Sequence, residues 1–249
     1  MGPFCQQSEM QEMIFITGTS RGLGRALAEA YLAKGATVLG CSRGESKLSE
    51  SFPKTYRHAT LDLEDPESAK PALRAFFSER QGFDRVILNA GMLPPIRDIG
   101  ETAMETLRET MEVNLWSNKW ILDSLLAMPS KPPQIVAISS GAAVSGSRGW
   151  NGYSLSKAAL NMLIKLYAEE EPEVHFIALA PGLVETAMQD AIRETENAET
   201  FATVQRLKAA RGTPDMPSPD EAAQRIIAIM DDLTARPSGE FVDIRKMMA

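Results

Sequence analysis

The segment TGTSRGLG at 17–24 constrains this chain most, because it places glycines between an apolar run and an amphipathic run. The preceding run at 13–17 fits a buried strand, and the following run fits a helix with one apolar stripe. Glycine has no β-carbon, so a ligand can approach the main chain at Gly18, Gly22 and Gly24. A helix start adds unpaired N–H groups and partial positive charge, which suit a pyrophosphate. The order strand, turn, helix therefore predicts a dinucleotide site, although the spacing G-x-x-x-G-x-G alone would also fit a structural turn.

Apolar runs and helical patterns alternate along the rest of the chain. The predicted strands cover 13–17, 37–41, 57–61, 85–89, 134–139, 174–180 and 240–244. Most are continuously apolar, which is typical of strands covered on both faces of a parallel sheet. Besides the helix after the glycine turn, the predicted helices cover 66–81, 104–127, 151–170 and 219–234. This alternation predicts an α/β fold of the Rossmann type, with a doubly wound, seven-stranded, mainly parallel sheet and helices on both faces.

The chain of 249 residues is long enough for one large α/β domain or two small ones. We interpret 1–12 as a short N-terminal extension and 13–249 as a single domain. The strand pattern continues across the proline-rich segments 130–134 and 213–219, which therefore are loops and not linkers. The segment 183–212 is the least strand-like long piece and is interpreted as an insertion before the last helix.

Composition excludes several classes of protein. The net charge of −7 argues against a dedicated nucleic-acid binder, which needs a basic face. No apolar run is long enough to cross a membrane, and the first residues lack the pattern of a signal peptide. Cys5 and Cys41 lack metal-binding spacing and favour free thiols in a reducing cytoplasm. No metal site is predicted, and His58 and His175 are interpreted as ordinary half-buried histidines.

The end of the second predicted strand indicates which dinucleotide binds. NAD enzymes of this architecture usually carry an acid there for the ribose 2′-hydroxyl, whereas an arginine accommodates a 2′-phosphate. This chain has Ser42 and Arg43, and no carboxylate appears before Glu45. Arg21, inside the glycine turn, can approach the same phosphate, which a planar guanidinium suits. These arginines favour NADP(H), unless both are merely solvated surface residues.

Tyr153 and Lys157 form the strongest candidate for acid–base chemistry. They are four residues apart on a predicted helix and so share a face. A tyrosine has a pKa of about 10, which a neighbouring ammonium lowers. Ser140 follows the strand at 134–139, where ligands lie in an open α/β sheet. Its hydroxyl can hydrogen-bond a substrate carbonyl while Tyr153 protonates the oxygen.

From Met13 to Arg245 the sequence resembles the short-chain dehydrogenases/reductases. The resemblance is carried, in order, by TGTSRGLG (17–24), LDL (61–63), NAG (89–91), VNL (113–115), ISSGA (138–142), YSLSK (153–157) and PGLVET (181–186). Their order and separations fit the family along nearly the whole chain. The resemblance implies an oxidoreductase that uses a nicotinamide dinucleotide on small carbonyl or alcohol substrates.

The resemblance also implies roles for four catalytic residues. Ser140 would orient the carbonyl, and Tyr153 would act as the acid in reduction and as the base in oxidation. Lys157 would lower the pKa of Tyr153 and bond the nicotinamide ribose. Asn114 would hold a water in a proton relay to Lys157; the alternative is an asparagine that caps or bridges the backbone of a kinked helix.

Further positions are implied to bind the cofactor. They are Gly18, Ser20, Arg21, Gly22, Leu23, Gly24, Ser42, Arg43, Asp62, Leu63, Asn89, Ala90, Gly91, Tyr153, Lys157, Pro181, Gly182, Val184 and Thr186. Asp62 would touch the adenine through its carboxylate, with a helix N-cap as its alternative. The segment 89–91 would line the cofactor, or be only a strand-ending turn. The segment 181–186 would close over the nicotinamide.

Three segments carry a finer resemblance: SSGAAVSGSRGWNGYSLSKAALNM (139–162), ALAPGLVETAMQ (178–189) and SGEFVDI (238–244). They resemble the sepiapterin reductase and benzil reductase branch, which reduces α-dicarbonyls or pterin side-chain ketones with NADPH. Trp150 would form one wall of a flat pocket, or be a capping core aromatic. Met188 lies where the family has its substrate loop, at about 183–212. Sepiapterin reductases hold the pterin with an acid near the C-terminus, whereas this chain offers only Asp243 before Arg245. If Asp243 points into the sheet region instead of the pocket, a general diketone or aldehyde reductase fits better than a pterin reductase.

Two other functions stay open from the sequence. A 3-ketoacyl-carrier-protein reductase, or another alcohol dehydrogenase of the family, would share the motifs, but the former needs a basic surface for its acidic carrier. A non-enzymatic NADPH-binding regulator is disfavoured by the intact catalytic set. Oligomers are common in the family through the helices at 104–127 and 151–170, so we expect a homodimer.

Overall fold

A computed structural model describes residues 11–193, 195 and 197–247, so most of the predicted extension at 1–12 lies outside the described residues. The strands are β1 Met13–Thr17, β2 Thr37–Ser42, β3 Tyr56–Thr60, β4 Arg85–Leu88, β5 Gln134–Ile138, β6 His175–Ala180 and β7 Glu240–Asp243. They form one sheet in the order β3-β2-β1-β4-β5-β6-β7, and every pair is parallel. The predicted doubly wound Rossmann-type fold is confirmed, and each predicted strand boundary lies within one residue of the observed one.

The helices are α1 Gly22–Ala33, α2 Leu48–Ser51, α3 Pro66–Phe77, α4 Met104–Met111, α5 Ser117–Leu126, α6 Ala142–Ser145, α7 Asn151–Glu170, α8 Ala187–Arg193, α9 Ala202–Ala210, α10 Pro219–Ile229 and α11 Ile244–Met247. The predicted helices 66–81 and 219–234 end earlier, at Phe77 and Ile229. The predicted helix 104–127 is not continuous, because a π-helical turn at Glu112–Trp116 separates α4 from α5. Short 3₁₀ turns lie at Ile99–Glu101, Ala198–Thr200 and Asp232–Ala235.

The core lies in two layers, one on each face of the sheet. Alternate residues of β1 point to opposite faces, so Ile14 and Ile16 pack under α1 and α10 while Phe15 packs under α3, α5 and α7. All three β1 side chains are fully buried. Burial on both faces explains why these strands read as unbroken apolar runs.

The strand order reverses between β1 and β4, and in open α/β sheets ligands bind at the carboxyl ends of the strands beside such a point. A third apolar cluster covers this edge of the sheet. We call it the outer cluster; its buried members are Ile96, Trp150, Tyr153, Ile192, Ala198, Phe201, Val204, Leu207 and Met216. Much of it comes from 183–212, which forms α8, a 3₁₀ turn and α9.

Candidate active site

The glycine turn is locked to the end of β4. The Thr17 hydroxyl oxygen accepts hydrogen bonds from the backbone N–H groups of Asn89 and Ala90, each at 2.9 Å. Gly18 has φ +79°, a conformation that side chains other than glycine rarely adopt. A β-carbon on Gly24 would collide with the Gly18 carbonyl oxygen and with the Asn89 side chain. The glycines therefore allow strand, turn and helix to meet at close range.

The N-terminus of α1 fits a phosphate group. Its N-cap, Arg21, makes no side-chain capping bond, and the first turn has no acidic residue, so its N–H groups and positive partial charge are not neutralised locally. A β-carbon on Gly22 would lie 3.4 Å from the Thr186 methyl carbon, so the segment 181–186 lies against the turn. The side chains of Leu23 and Val184 are buried in the core, so only their main chains can face a cofactor.

The loop after β2 carries exposed positive charge. Arg43 is exposed and its Nη1 lies 3.2 Å from Oε1 of Glu64, also on the surface. Arg21 is exposed and has no ion-pair partner in the described part of the chain. The Ser42 hydroxyl donates to the Gly44 carbonyl oxygen at 2.9 Å. Two free or weakly paired guanidinium groups fit a phosphate here.

A polar network beneath this loop was not foreseen from the sequence. The Tyr56 hydroxyl donates to the Thr19 hydroxyl at 2.7 Å and lies 3.0 Å from Nδ1 of His58. Nε2 of His58 lies 3.0 Å from the Gly44 carbonyl oxygen. Partial burial lowers the pKa of His58. Gly40 leaves the space that the Tyr56 and Thr19 hydroxyl groups occupy. It is the only feature of the sequence that could have indicated this network.

A turn follows β3, at the segment where the resemblance implies that the adenine binds. Asp62 is exposed, and its carboxylate accepts from the backbone N–H of Glu64 at 3.0 Å. The alternative interpretation of Asp62 as a helix N-cap is wrong, because Asp65 caps α3 by accepting from the Ser68 N–H at 3.3 Å. Leu63 is buried in the core, so its main chain alone can face the crevice.

The candidate acid and the carbonyl-binding hydroxyl lie together at the end of β5. Tyr153 is 8% exposed, and its hydroxyl lies near that of Ser140. Burial raises the pKa of Tyr153, and the nearby Ser140 hydroxyl offsets only part of that rise. The backbone N–H of Ala142 donates to the Ser140 hydroxyl at 3.1 Å and fixes its position.

Lys157 is 3% exposed, and its Nζ donates to the Ile138 carbonyl oxygen at 2.7 Å. The ammonium nitrogen lies 5.8 Å from the centroid of the Tyr153 ring. Burial lowers the pKa of Lys157 to about 8. Burial of the phenol raises the pKa of Tyr153, so the lowering that we expected from this ammonium is not found.

Asn114 lies in the π-helical turn and is fully buried. Its side chain accepts from the Met92 N–H at 2.8 Å and donates to the Met92 carbonyl at 2.9 Å and to the Ser156 hydroxyl at 3.0 Å. It thus joins the strand-ending segment 89–92 to the helix that carries Tyr153.

The main chain and surroundings of Asn114 place it near the lysine. Its carbonyl oxygen accepts from the Asn118 side chain at 2.9 Å. A β-carbon on Gly91 would lie 3.2 Å from Oδ1 of Asn114 and 3.5 Å from Nζ of Lys157, so both groups border this exposed glycine. A bridging asparagine is what the contacts describe; the water relay stays a prediction.

The outer cluster forms an apolar wall against the candidate acid. The ring of Trp150 meets that of Tyr153 edge to face, with centroids 5.9 Å apart. Trp150 is 7% exposed, and a β-carbon on Gly149 would contact the Ile96 and Phe201 side chains. Met188 is half-buried on α8.

A surface ion pair holds the rim of this wall. Arg148 donates to both oxygens of Asp98, from Nε at 2.7 Å and from Nη2 at 2.6 Å, and holds the pKa of that carboxyl below its usual range. The same guanidinium lies 5.7 Å from the ring centroid of Phe201. Arg148 therefore connects the loop before α4 to the segment before α9.

The end of β7 carries a second arginine–carboxylate pair. Asp243 accepts from the backbone N–H of Arg245 at 3.1 Å and from its Nε at 2.9 Å, and Nη2 bonds the other carboxylate oxygen. Asp243, the acid that the sequence offers near the C-terminus of the chain, is thus paired with its neighbour and is not presented as a free carboxylate.

A parallel sheet with a glycine turn at its reversal point and a buried tyrosine, serine and lysine beyond β5 defines a dinucleotide-dependent oxidoreductase. Residues 12–197 match the family model described as short chain dehydrogenase. The chain belongs to this family, whose members bind a nicotinamide cofactor and act on carbonyl or alcohol groups.

Three known proteins show the similarity in detail. The benzil reductase ((S)-benzoin forming) of Bacillus subtilis is 30% identical over 95% of this chain and 100% of its own length. The sepiapterin reductase of Meriones unguiculatus is 32% identical over 92% of this chain and 94% of its own. A crystal structure of a short-chain dehydrogenase/reductase from Burkholderia multivorans with bound NADP is 28% identical, covers 94% of this chain and 97% of its own, and superposes with a TM-score of 0.76.

The structure contains no candidate membrane span in its described ranges, since none of the helices there combines sufficient length with sufficient apolar character.

Proposed function

We propose that this protein is an NADPH-dependent carbonyl reductase that acts on ketones, α-diketones among them. One observation carries the proposal: Tyr153 is buried near the Ser140 hydroxyl, with buried Lys157 5.8 Å from its ring centroid and the Trp150 ring packed edge to face against it. Relatives named benzil reductase and sepiapterin reductase support a carbonyl substrate.

The residues divide the chemistry of reduction among them. Bound NADPH supplies a hydride to the carbonyl carbon. Ser140 donates a hydrogen bond to the carbonyl oxygen and holds it against the phenol. Tyr153 gives its proton to that oxygen; its raised pKa keeps the phenol protonated, as an acid requires. The positive charge of Lys157 stabilises the phenolate that remains, until a proton from solvent restores it.

The preference for NADP(H) rests on charge after β2. Arg43 and Arg21 are exposed, and Ser42 stands where an acid would accept the ribose 2′-hydroxyl of NAD. Glu64 pairs with Arg43 through one nitrogen only, an exposed contact that a phosphate can displace. The NADP bound to the Burkholderia structure supports the same cofactor class.

The substrate region lies beneath the segment 183–212, which we propose as the substrate loop. Its residues Ile192 and Phe201 pack in the outer cluster with Trp150. An apolar aromatic wall suits an aryl ketone. Met188, which lies on α8 within this loop, is a further proposed contact to the substrate.

Exposed apolar side chains support the expected homodimer. Trp116, Leu155, Met162 and Leu166 are each about half exposed or more, and they lie on the π-helical turn and on α7. A mass close to one chain in gel filtration with light scattering would contradict the dimer.

A turnover panel tests the function. NADPH and NADH are each offered with benzil, sepiapterin and an acetoacetyl thioester. We expect NADPH oxidation with benzil, and loss of that activity in Tyr153→Phe. Oxidation only with the thioester would show a ketoacyl reductase instead, and an undiminished Tyr153→Phe rate with benzil would overturn the enzyme assignment.

A further inference from the structure

Arg245 lies across the carboxyl ends of three neighbouring strands. It follows β7, while Gly141 and Gly182 follow β5 and β6. A β-carbon on Gly141 would lie 3.5 Å from Nη2 of Arg245, and one on Gly182 would lie 3.5 Å from its Cγ and Cδ atoms. The two glycines therefore leave the surface on which the arginine side chain rests.

The guanidinium of Arg245 is oriented by a carboxylate and still has unused donors. Asp243, whose side chain is only 10% exposed, accepts hydrogen bonds from Nε and Nη2 of Arg245. Nη1 has no hydrogen-bond partner within the described residues, and the Arg245 side chain is 58% exposed. A guanidinium has five N–H donors, so those on Nη1 remain available to a ligand.

This guanidinium is close to the groups that hold the reacting carbonyl. Gly141 directly follows Ser140, and consecutive Cα atoms are 3.8 Å apart. The guanidinium therefore lies beside the residue that directly follows Ser140.

The charges around the crevice favour an anion. Asp98 is paired with Arg148, Glu185 is paired with Arg211 at 2.7 Å, and Asp243 is paired with Arg245 itself. A substrate carboxylate would thus meet no unpaired carboxylate among these acids, and buried Lys157 adds a positive charge.

We propose that Arg245 is a specificity-determining residue that selects 2-oxo acids with an apolar side group, binding their carboxylate through the free guanidinium donors. The inference rests on the proposed carbonyl reductase function. The hydride goes to the ketone carbon, the proton to its oxygen, and the carboxylate is unchanged, so a 2-hydroxy acid and NADP⁺ are formed. Arginine suits this role because its planar fork matches a carboxylate.

Two nearly isosteric substrates test it: benzoylformate, and 1-phenyl-1,2-propanedione, in which an acetyl group replaces the carboxylate. In Arg245→Met we expect kcat/KM for benzoylformate to fall at least about tenfold, mostly through KM, because a hydrogen bond to a charged group is lost. The value for the neutral dione should change less than about threefold. Lys246→Met removes a neighbouring exposed charge and should leave both values unchanged.

A second variant and a binding measurement guard against a merely structural effect. Asp243→Asn retains Arg245 but weakens the contact that orients it, so the preference for benzoylformate should fall in part. Calorimetry should show mandelate binding to the complex with NADP⁺ in the unsubstituted protein and weaker binding in Arg245→Met. Circular dichroism melting checks that each variant is folded.

Equal loss with both substrates in Arg245→Met, or no loss with either, would overturn the role of Arg245. So would turnover of the dione without turnover of benzoylformate. If the unsubstituted protein reduced neither compound with NADPH, the proposed function itself would fail, and this inference with it.

Discussion

Lys157 donates its ammonium hydrogen bond to the carbonyl oxygen of Ile138, at the end of β5, and not to the Tyr153 hydroxyl. The lysine is thereby tied to the strand that precedes Ser140, while its charge lies 5.8 Å from the tyrosine ring centroid. Its charge can therefore stabilise a phenolate formed during the reaction electrostatically, and not through a hydrogen bond. This geometry makes the protonation state of the lysine decisive.

The pH dependence of reduction should follow Lys157. Burial lowers its pKa to about 8, so the cation is present below that pH and is lost above it. We expect kcat/KM for a diketone with NADPH to decline with an apparent pKa near 8. The pKa of Tyr153 is raised above its ordinary value, so the phenol stays protonated across this range. A flat profile to pH 10 would contradict the dependence on lysine.

Tyr153→Phe should lose about 10²- to 10⁴-fold in kcat, the range for removing a general acid. NADPH affinity, measured by cofactor fluorescence, should change little, because the ring and its packing against Trp150 remain. Tyr167→Phe is the matched control: its hydroxyl contacts Asp123 on the surface, outside the site. Equal losses in the two variants would point to a fold defect instead of chemistry.

Arg43→Ala should weaken NADPH binding about tenfold or more while leaving NADH within about twofold, since only NADPH carries the 2′-phosphate. Dissociation constants from fluorescence titration decide this. Arg108→Ala, which removes an exposed arginine paired with Glu105, should change neither. If Arg43→Ala weakened the binding of NADPH and NADH equally, Arg43 would have a role other than phosphate recognition.

Gly24→Ala should destabilise the fold by about 1–3 kcal/mol, because its methyl group would overlap the Gly18 carbonyl and the Asn89 side chain. Gly100→Ala is the control, since a β-carbon there meets nothing within 4 Å and its φ is not positive. Urea unfolding of both variants measures the difference. Equal stability would mean that the turn relaxes without cost.

Most of the sheet was predictable because its central strands are buried on both faces. A strand such as β6 is covered by α7 on one side and by α10 on the other, so its residues are continuously apolar. The limits of that apolar run indicate where the strand begins and ends. The spacing of Tyr153 and Lys157 and the strand end before Ser140 followed from the same periodicity, whereas Asn114 and most of the cofactor-binding positions came from the resemblance to the family.

Contacts between distant segments were not predictable. The Thr17 hydroxyl holds the N–H groups of Asn89 and Ala90, which are more than seventy positions away and share no periodicity with it. Similarly, the N-cap at Asp65 instead of Asp62 depends on where the chain leaves β3. The lowered pKa of Lys157 depends on burial, which the helical spacing of Tyr153 and Lys157 does not reveal.

The π-helical turn at Glu112–Trp116 limits the changes in chain length that this part of the fold tolerates. A π turn accommodates roughly one residue more than an α-helical turn. Deleting a single residue there would let α4 and α5 merge into one continuous α-helix, and residues left in the turn would rotate by up to about 100°, the step of one α-helical residue. Asn114 would swing away from Met92 and Ser156, so the length of this short stretch is as constrained as its chemistry.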